Sequence, residues 1–385
     1  MKFTTFVTSK EDITECAKAA ALEEVLIEPA TLSREGRLTI AEAEELARDA
    51  TAQNLAPVLV WDILMTNDEF ARKCEVVRGM NARNFSAIRT QCPGAAAWVR
   101  EHLPEMKLHI ILENSNHNLP ALKRWVADLH PERVVLSTQI PEDRLIQICK
   151  ELDTKCEILG AGKILLFYSK RKLLQANFGE TDDAADASWI YADSASEESS
   201  SRPFPTIENE HGTFMYLNKD HFILDSLSRL RDGGMHTVRI DLRDLQEKTH
   251  SARGIADLIV RVVEEAPGLD AGWGRPTSAP FFKRNRTDKQ AARMKPLTRL
   301  LRDENCLAEV VSVEREEVIG LFTLREFSTE SNQFAFVASD GHEIPIRIES
   351  FSDLSGNPLS HCIAHRLVRC PWLKGVRPGS LLVRK

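Results

Sequence analysis

The run TVRIDLR at 237–243 puts Arg239, Asp241 and Arg243 on one face of a strand and Val238, Ile240 and Leu242 on the other. If the apolar face packs on helices, the charged face looks into an enclosed interior, where forked guanidiniums hold carboxylates two-pronged. Such a face suits a pocket for a small anion, and it equally suits a structural Arg–Asp network. Asp241 and Arg243 are therefore candidates for chemistry and Arg239 for binding. Further polar groups stand where other strand-like runs end: Glu28, Asp62, Arg89, Glu113 with Asn116, and Ser137. These are candidate substrate-binding residues if the strands they terminate open on one end.

Other chemistries lack their motifs. There is no HExxH, no GxSxG, and no cysteine with a helix start and a histidine nearby. His361, Cys362, His365 and Cys370 crowd into ten residues, but Cys362 and His365 fall on opposite faces of a strand. Ordinary strand residues are expected there and no metal site. The eight cysteines are scattered from 16 to 370, which makes no disulfide framework.

Charge is unevenly spread. Of the 385 residues, 43% are hydrophobic and the net charge is −7. Nine acids lie between Ala176 and Glu210 against Arg202 alone, and eight bases lie between Lys283 and Arg302 against Asp288 alone. The basic run follows Phe281 and Phe282, a pairing suited to phosphate neutralisation and base stacking. Lys289, Arg293 and Lys295 are its candidate RNA contacts. The alternative is a solvated amphipathic helix with Met294, Leu297 and Leu301 turned inward. No apolar run reaches the roughly 20 residues of a membrane helix. A soluble, reduced, cytoplasmic protein with no membrane partner is expected.

These residues need elements to hold them. Strand-like runs at 2–7, 25–28, 57–61, 86–89, 108–112, 133–137, 156–159, 164–168 and 237–241 alternate with helical stripes. Examples of the stripes are Ala43, Leu46, Ala47 and Ala50 in 39–53, and Leu119, Leu122, Val126 and Leu129 in 119–129. Strand–helix alternation near every 25 residues predicts parallel βαβ units, and eight or nine strands predict a TIM-type (β/α)8-like barrel over 1–245. No GxGxxG follows the first strand, so a dinucleotide fold loses its main support. The acidic stretch 179–206 reads as a mobile loop inserted in the barrel. A helical extension with the basic segment is expected over 246–305. Short strands with turn residues predict a small β-barrel module over 306–385.

The stretch 208–244 resembles the collagenase-like peptidase U32 family. It matches that family's pattern at His211, Gly212, Thr213, Asn218, Lys219, Asp220, Asp225, Gly234, Ile240 and Arg243, with Arg239 and Asp241 keeping the sign of the family's Lys and Glu. Residues 131–148 are similar to a strand-and-helix unit of the family. Residues 158–174 are similar to its signature segment, with Tyr168, Ser169, Arg171, Leu173 and Leu174 in step. The resemblance implies a TIM-type barrel with a small β module, and it adds His211 to the catalytic candidates. It also implies a branch working in RNA or quinone hydroxylation with a four-iron four-sulfur cluster on four cysteines. Those positions hold Leu165, Lys172, Ala187 and Phe222, and none is a thiolate. No cofactor is therefore expected. Three roles remain open. One is RNA hydroxylation (tRNA or rRNA) with a small anionic metabolite, such as the dicarboxylate prephenate, clamped by Arg89, Arg239 and Arg243. Another is a non-catalytic partner of a cluster-bearing relative. The third is the peptidase of the family name.

Overall fold

The computed structural model describes residues 1–113, 116–178, 189–196, 199–243, 252–283, 303–314, 317–329, 334–338, 341–346 and 350–384. The chain divides into two compact units, Met1–Asn285 and Arg286–Lys385.

In the first unit, strands and helices alternate as β1 (Lys2–Val7), α1 (Lys10–Ala17), β2 (Leu22–Ile27), α2 (Ile40–Ala52), β3 (Ala56–Trp61), α3 (Asn67–Gly79), β4 (Ala87–Thr90), α4 (Pro93–His102), β5 (Lys107–Ile111), α5 (Leu119–Leu129), β6 (Arg133–Val135), α6 (Glu142–Glu151) and β7 (Lys155–Gly162). There follow β8 (Leu165–Ser169), α7 (Leu173–Phe178), β9 (Ile190–Ser196), β10 (Ser199–Asn209), β11 (Gly212–Tyr216), β12 (Asp220–Phe222), α8 (Ser228–Asp232), β13 (Thr237–Ile240), α9 (Ile255–Val263) and β14 (Thr277–Ser278). Strands β1 to β7 pair in parallel in chain order. β13 lies parallel to both β1 and β7, which closes an eight-stranded TIM-like barrel.

Local chemistry fixes where the helices start. Thr39 and Glu42 form a capping box at α2, and Thr66 with Glu69 form another at α3. Each satisfies two backbone N–H groups that the first turn leaves without partners. The stripe Ala43, Leu46, Ala47 and Ala50 is buried as its spacing predicts. Within the barrel, Leu26, Val58, Val60 and Ala87 gather with Phe6 into an apolar cluster separate from the larger core under the helices.

Two expectations are corrected. ILLFY does not join the barrel. β8 follows β7 after two residues, too few for the crossover that a parallel neighbour requires, and it pairs antiparallel with β11. The acidic stretch is in part a sheet: β9 and β10 complete the four-stranded order β8-β11-β10-β9. Its registers align Tyr191, Ile207, Phe214 and Tyr168 in one row across the strands. Acids at intervening positions mask that alternation in the sequence. Residues 179–188 and 197–198 lie outside the described residues.

The second unit is antiparallel. Its largest sheet includes Cys306–Glu314, Val318–Thr323, Phe334–Val337, Leu367–Pro371 and Leu381–Arg384. Phe327, Phe334 and Phe351 meet edge-on in its core, with centroids 5.4–5.9 Å apart. Cys362 and Cys370 are buried in that core, whereas His361 and His365 are exposed. Among the described residues, no group of three or more His, Cys, Asp or Glu side chains is arranged to hold a metal ion. No described helix is long and apolar enough to cross a membrane.

Candidate functional site: two ionic layers in the barrel

Alternation along the strands sends charged side chains into the barrel at two levels. The deeper level centres on Glu157, third in β7 and fully buried. Its Oε1 accepts from Arg89 Nη1 at 2.7 Å and from Arg239 Nη1 at 3.5 Å, and its Oε2 faces Arg133 Nη1 at 3.5 Å. Arg133 also grips Glu24 with both η nitrogens, Nη2 at 2.8 Å, and Arg239 Nη2 binds Glu113. Three carboxylates thus face three guanidiniums. Burial opposes ionisation of Glu157, but Arg89, Arg239 and Arg133 outweigh it and hold the carboxyl below its ordinary range. Arg89 Nη2, Arg239 Nε and both ring nitrogens of His109 and His221 are buried without hydrogen-bond partners among the described residues. Burial lowers the pKa of both histidines, to about 4 for His221, so both are neutral at pH 7.

The outer level lies at the C-terminal ends of the strands, where barrels of this type do their chemistry. Arg243 grips Asp241 two-pronged, Nε to Oδ1 at 2.8 Å and Nη2 to Oδ2 at 2.6 Å. Its Nη1 reaches Glu28 Oε2 at 2.7 Å and Glu35 Oε2 at 3.7 Å, and its guanidinium lies 3.5 Å over the Phe6 ring. Beside it, Asp62 accepts from the Arg34 backbone at 2.9 Å and from Arg34 Nε at 2.7 Å, and Tyr216 donates its hydroxyl to Glu35. Two glycines make the approach possible. A Cβ on Gly162, whose φ is +133°, would sit 2.5 Å from Asp241 Cβ, and one on Gly36 would sit 2.5 Å from the Pro29 carbonyl oxygen.

The outer layer holds four carboxyls, Glu28, Glu35, Asp62 and Asp241, against two guanidiniums, Arg34 and Arg243. Burial opposes the charge on Asp241, but Arg243 prevails and holds that carboxyl down at about 2. Asp62 is likewise lowered, Arg34 outweighing burial. The excess falls on Glu28. Burial, and then its carboxylate neighbours Glu35, Asp62 and Asp241, push its pKa up to about 8 despite Arg243. Glu28 is thus a buried carboxyl that can give or take a proton near neutral pH, the property of a general acid–base group.

The remaining sequence candidates scatter. Arg89 and Arg239 converge on Glu157 in the deeper layer, whereas Arg243 belongs to the outer one. Ser137 is buried at the end of β6, where His117 Nε2 lies 3.1 Å from its Oγ and the Gln139 backbone donates to it at 3.2 Å. Asn116 is half-buried on the loop after β5. His211 sits at the β10–β11 turn, its ring Nε2–H donating to the Ala30 carbonyl at 2.6 Å, while Asn209 Nδ2 donates to the Arg34 carbonyl at 2.7 Å. The pair thereby fastens this turn to the β2–α2 loop. Lys289, Arg293 and Lys295 lie outside the described residues. Of the aromatics before them, Phe282 is buried, its carbonyl accepting from the Glu142 backbone at 2.8 Å, so it is core rather than a stacking platform. Sequence reasoning missed Arg34, Glu35, Glu157 and Tyr216. The run SREGR after the second strand was the available signal for the first two.

A cavity of about 280 Å³ lined by Met1, Phe3, Leu227 and Val262 lies at the opposite end of the barrel, where the strands begin, and touches neither ionic layer.

The family model for peptidase family U32 matches residues 29–265, from the loop that carries Arg34 through β13 to α9. The chain belongs to peptidase family U32. Among curated relatives of this U32 chain, tRNA hydroxylation protein P2 of Bacillus subtilis is 24% identical over 245 residues, covering 62% of this chain and 78% of that protein. The tRNA hydroxylation protein P of Escherichia coli is 24% identical over 195 residues, and the match spans 43% of its length and 39% of this chain. Among solved structures, the C-terminal domain of a U32 peptidase from Geobacillus thermoleovorans is 13% identical, covering 21% of this chain and 92% of that one, with a TM-score of 0.19.

The iron–sulfur cluster implied by the resemblance does not fit the residues present. Leu165 is half-buried in β8, Lys172 is exposed, and Phe222 packs edge-on against Trp273 at 5.6 Å. None offers a thiolate, and Ala187 lies outside the described residues. The upstream Cys156 is buried, and a hydrogen bond with Cys149 raises its pKa, away from ligand chemistry.

Proposed function

We propose that this U32 chain takes part in the hydroxylation of RNA, with tRNA the first substrate to test, and that the outer layer of the barrel is its working site. The observation that carries the reading is the match to two tRNA hydroxylation proteins, one over 62% of this chain. The outer layer adds a chemical reason, because Glu28 can exchange a proton near neutral pH. Inserting oxygen into a base requires an oxidant that these side chains do not supply. The roles assigned to this chain are therefore to bind, to orient and to move a proton. A small dicarboxylate metabolite is part of the proposal. Its candidate anchors are the partnerless donors Arg89 Nη2 and Arg239 Nε, since Arg243 is already held by Asp241 and Glu28. We further propose that the chain carries no iron–sulfur cluster at the four replaced positions. Iron analysis of anaerobically purified protein should read below stoichiometry, and one cluster per chain would refute it.

The deciding experiment is nucleoside mass spectrometry of tRNA and rRNA from cells lacking this chain. Loss of a hydroxylated nucleoside, restored by the intact gene, is expected; an unchanged nucleoside profile would contradict the reading. A peptidase reading has one observation in its favour, the hydrogen bond between His117 and Ser137. Against it, Ser137 Oγ is also taken by the Gln139 backbone, and among the described residues no carboxylate hydrogen-bonds the His117 ring. Peptide cleavage that disappears in Ser137→Ala would favour it.

A further inference from the structure

A second recess opens where the β10–β11 turn meets the β2–α2 loop. It has a volume of about 260 Å³ and is lined by Gly36, Arg37, Trp189, Asn209, Glu210 and His211, together with Ala30. Drug-sized ligands occupy roughly 300–1,000 Å³, so this space suits a single ring system. One wall is aromatic. Trp189 and Tyr191 stand two residues apart on the same face of the chain, with rings 6.2 Å apart and 19° from parallel. Over the indole, at 4.4 Å, lies the Arg37 guanidinium, a flat cation in the position a base plane would take.

The polar groups suit the same occupant. Glu210 carries an exposed carboxylate, an acceptor for N–H groups on a base edge. Asn209 and His211 are already used to fix the wall to the loop. That loop also carries Glu28, Arg34 and Glu35, so the recess and the outer ionic layer share one segment of chain.

We propose that this recess binds one unpaired nucleobase of an RNA substrate, stacked on Trp189 with Arg37 swung over its outer face and Glu210 reading its edge. Arg37 is exposed, and moving it off the indole exchanges its cation–π contact and the hydrogen bond its Nη2 donates to the Tyr191 hydroxyl for contact with the base, without opening the core. The inference rests on the RNA reading above and names the place where RNA engages.

The test uses the full-length protein and a short unpaired oligouridylate carrying a photoreactive thiouridine. Crosslinking should map to Trp189 or Tyr191. Trp189→Ala should weaken binding about 5- to 150-fold, the range for losing one base–aromatic stack. Arg37→Ala changes an exposed side chain and serves as the second variant; it should weaken binding while leaving the melting temperature unchanged. Binding by the parent with crosslinks elsewhere and both variants at parental affinity would overturn the recess and leave the RNA reading standing. Failure of the parent to bind any RNA would overturn both. Uridine monophosphate binding as tightly as the oligonucleotide would assign the recess to a free nucleotide and overturn the RNA assignment.

Discussion

The two ionic layers are built from the same residue types a few ångströms of strand apart, yet they differ in balance. The deeper one sets Glu24, Glu113 and Glu157 against Arg89, Arg133 and Arg239. Every carboxylate there has a guanidinium, and Glu157 is held ionised. The outer one sets four carboxyls against two guanidiniums, and burial, with the neighbouring carboxylates adding to it, pushes Glu28 up to about 8. Charge balance thus distinguishes a network that holds strands together from one that can exchange protons. Burial alone does not, because both layers are buried.

The largest expected effect tests the deeper layer. Glu157→Gln leaves three buried guanidiniums with one fewer countercharge. Breaking a buried pair by removing one partner costs about 3–5 kcal/mol. Urea denaturation should register a loss of that size, and a loss under about 1 kcal/mol would mean that the layer is solvated or rearranges freely.

A smaller effect should come from the loop that supports the outer layer. In Gly36→Ala the new Cβ would meet Pro29 O at 2.5 Å and Glu28 O at 2.8 Å, both backbone atoms. Overpacking of this kind costs about 1–3 kcal/mol, and the displaced loop should also shift the titration of Glu28. A variant with parental stability and titration would show that the approach of Gly36 is not what sets the layer.

The smallest effect at pH 5, and the sharpest in its pH dependence, belongs to Glu28→Gln. Because the folded-state pKa of Glu28 is raised from 4.5 to about 8, the proton it retains favours the fold. That contribution is fully present below pH 4.5 and is lost as the pH rises through 8, with a slope of at most about 1.4 kcal/mol per pH unit. Gln mimics the protonated acid, so at pH 5 the variant should match its parent within about 1 kcal/mol. By pH 7 it should be the more stable of the two, by at most about 1.4 kcal/mol for each pH unit above 4.5. Between pH 5 and 9 its stability should fall less steeply than the parent's. Parallel curves would mean that Glu28 titrates normally.

Much of this architecture is legible in the amino-acid sequence. The period of the βαβ units, the stripe in α2 and the bounds of α5 at Leu119–Leu129 follow from side-chain spacing alone. So did Glu28, Asp62, Asp241 and Arg243 as strand-end residues, because alternation and strand termini are local properties. What was not legible depends on closure of the barrel. The partner of Arg89 is Glu157, 68 residues away, and Glu28 meets Arg243 across 215 residues. The surplus of acid in one layer emerges only once strands from the whole barrel face each other. β9 and β10 were hidden differently, their apolar row diluted by the acids of the same stretch.

Rescue of RNA hydroxylation, read by nucleoside mass spectrometry, in cells lacking the chain and supplied with Glu28→Gln decides whether the outer layer is the working site. The variant is expected to fold at neutral pH, to accumulate at the parental level and to leave the hydroxylated nucleoside absent, because the outer layer has lost its exchangeable proton. Restoration of the nucleoside to the parental level by that variant would overturn the assignment of the outer layer as the working site.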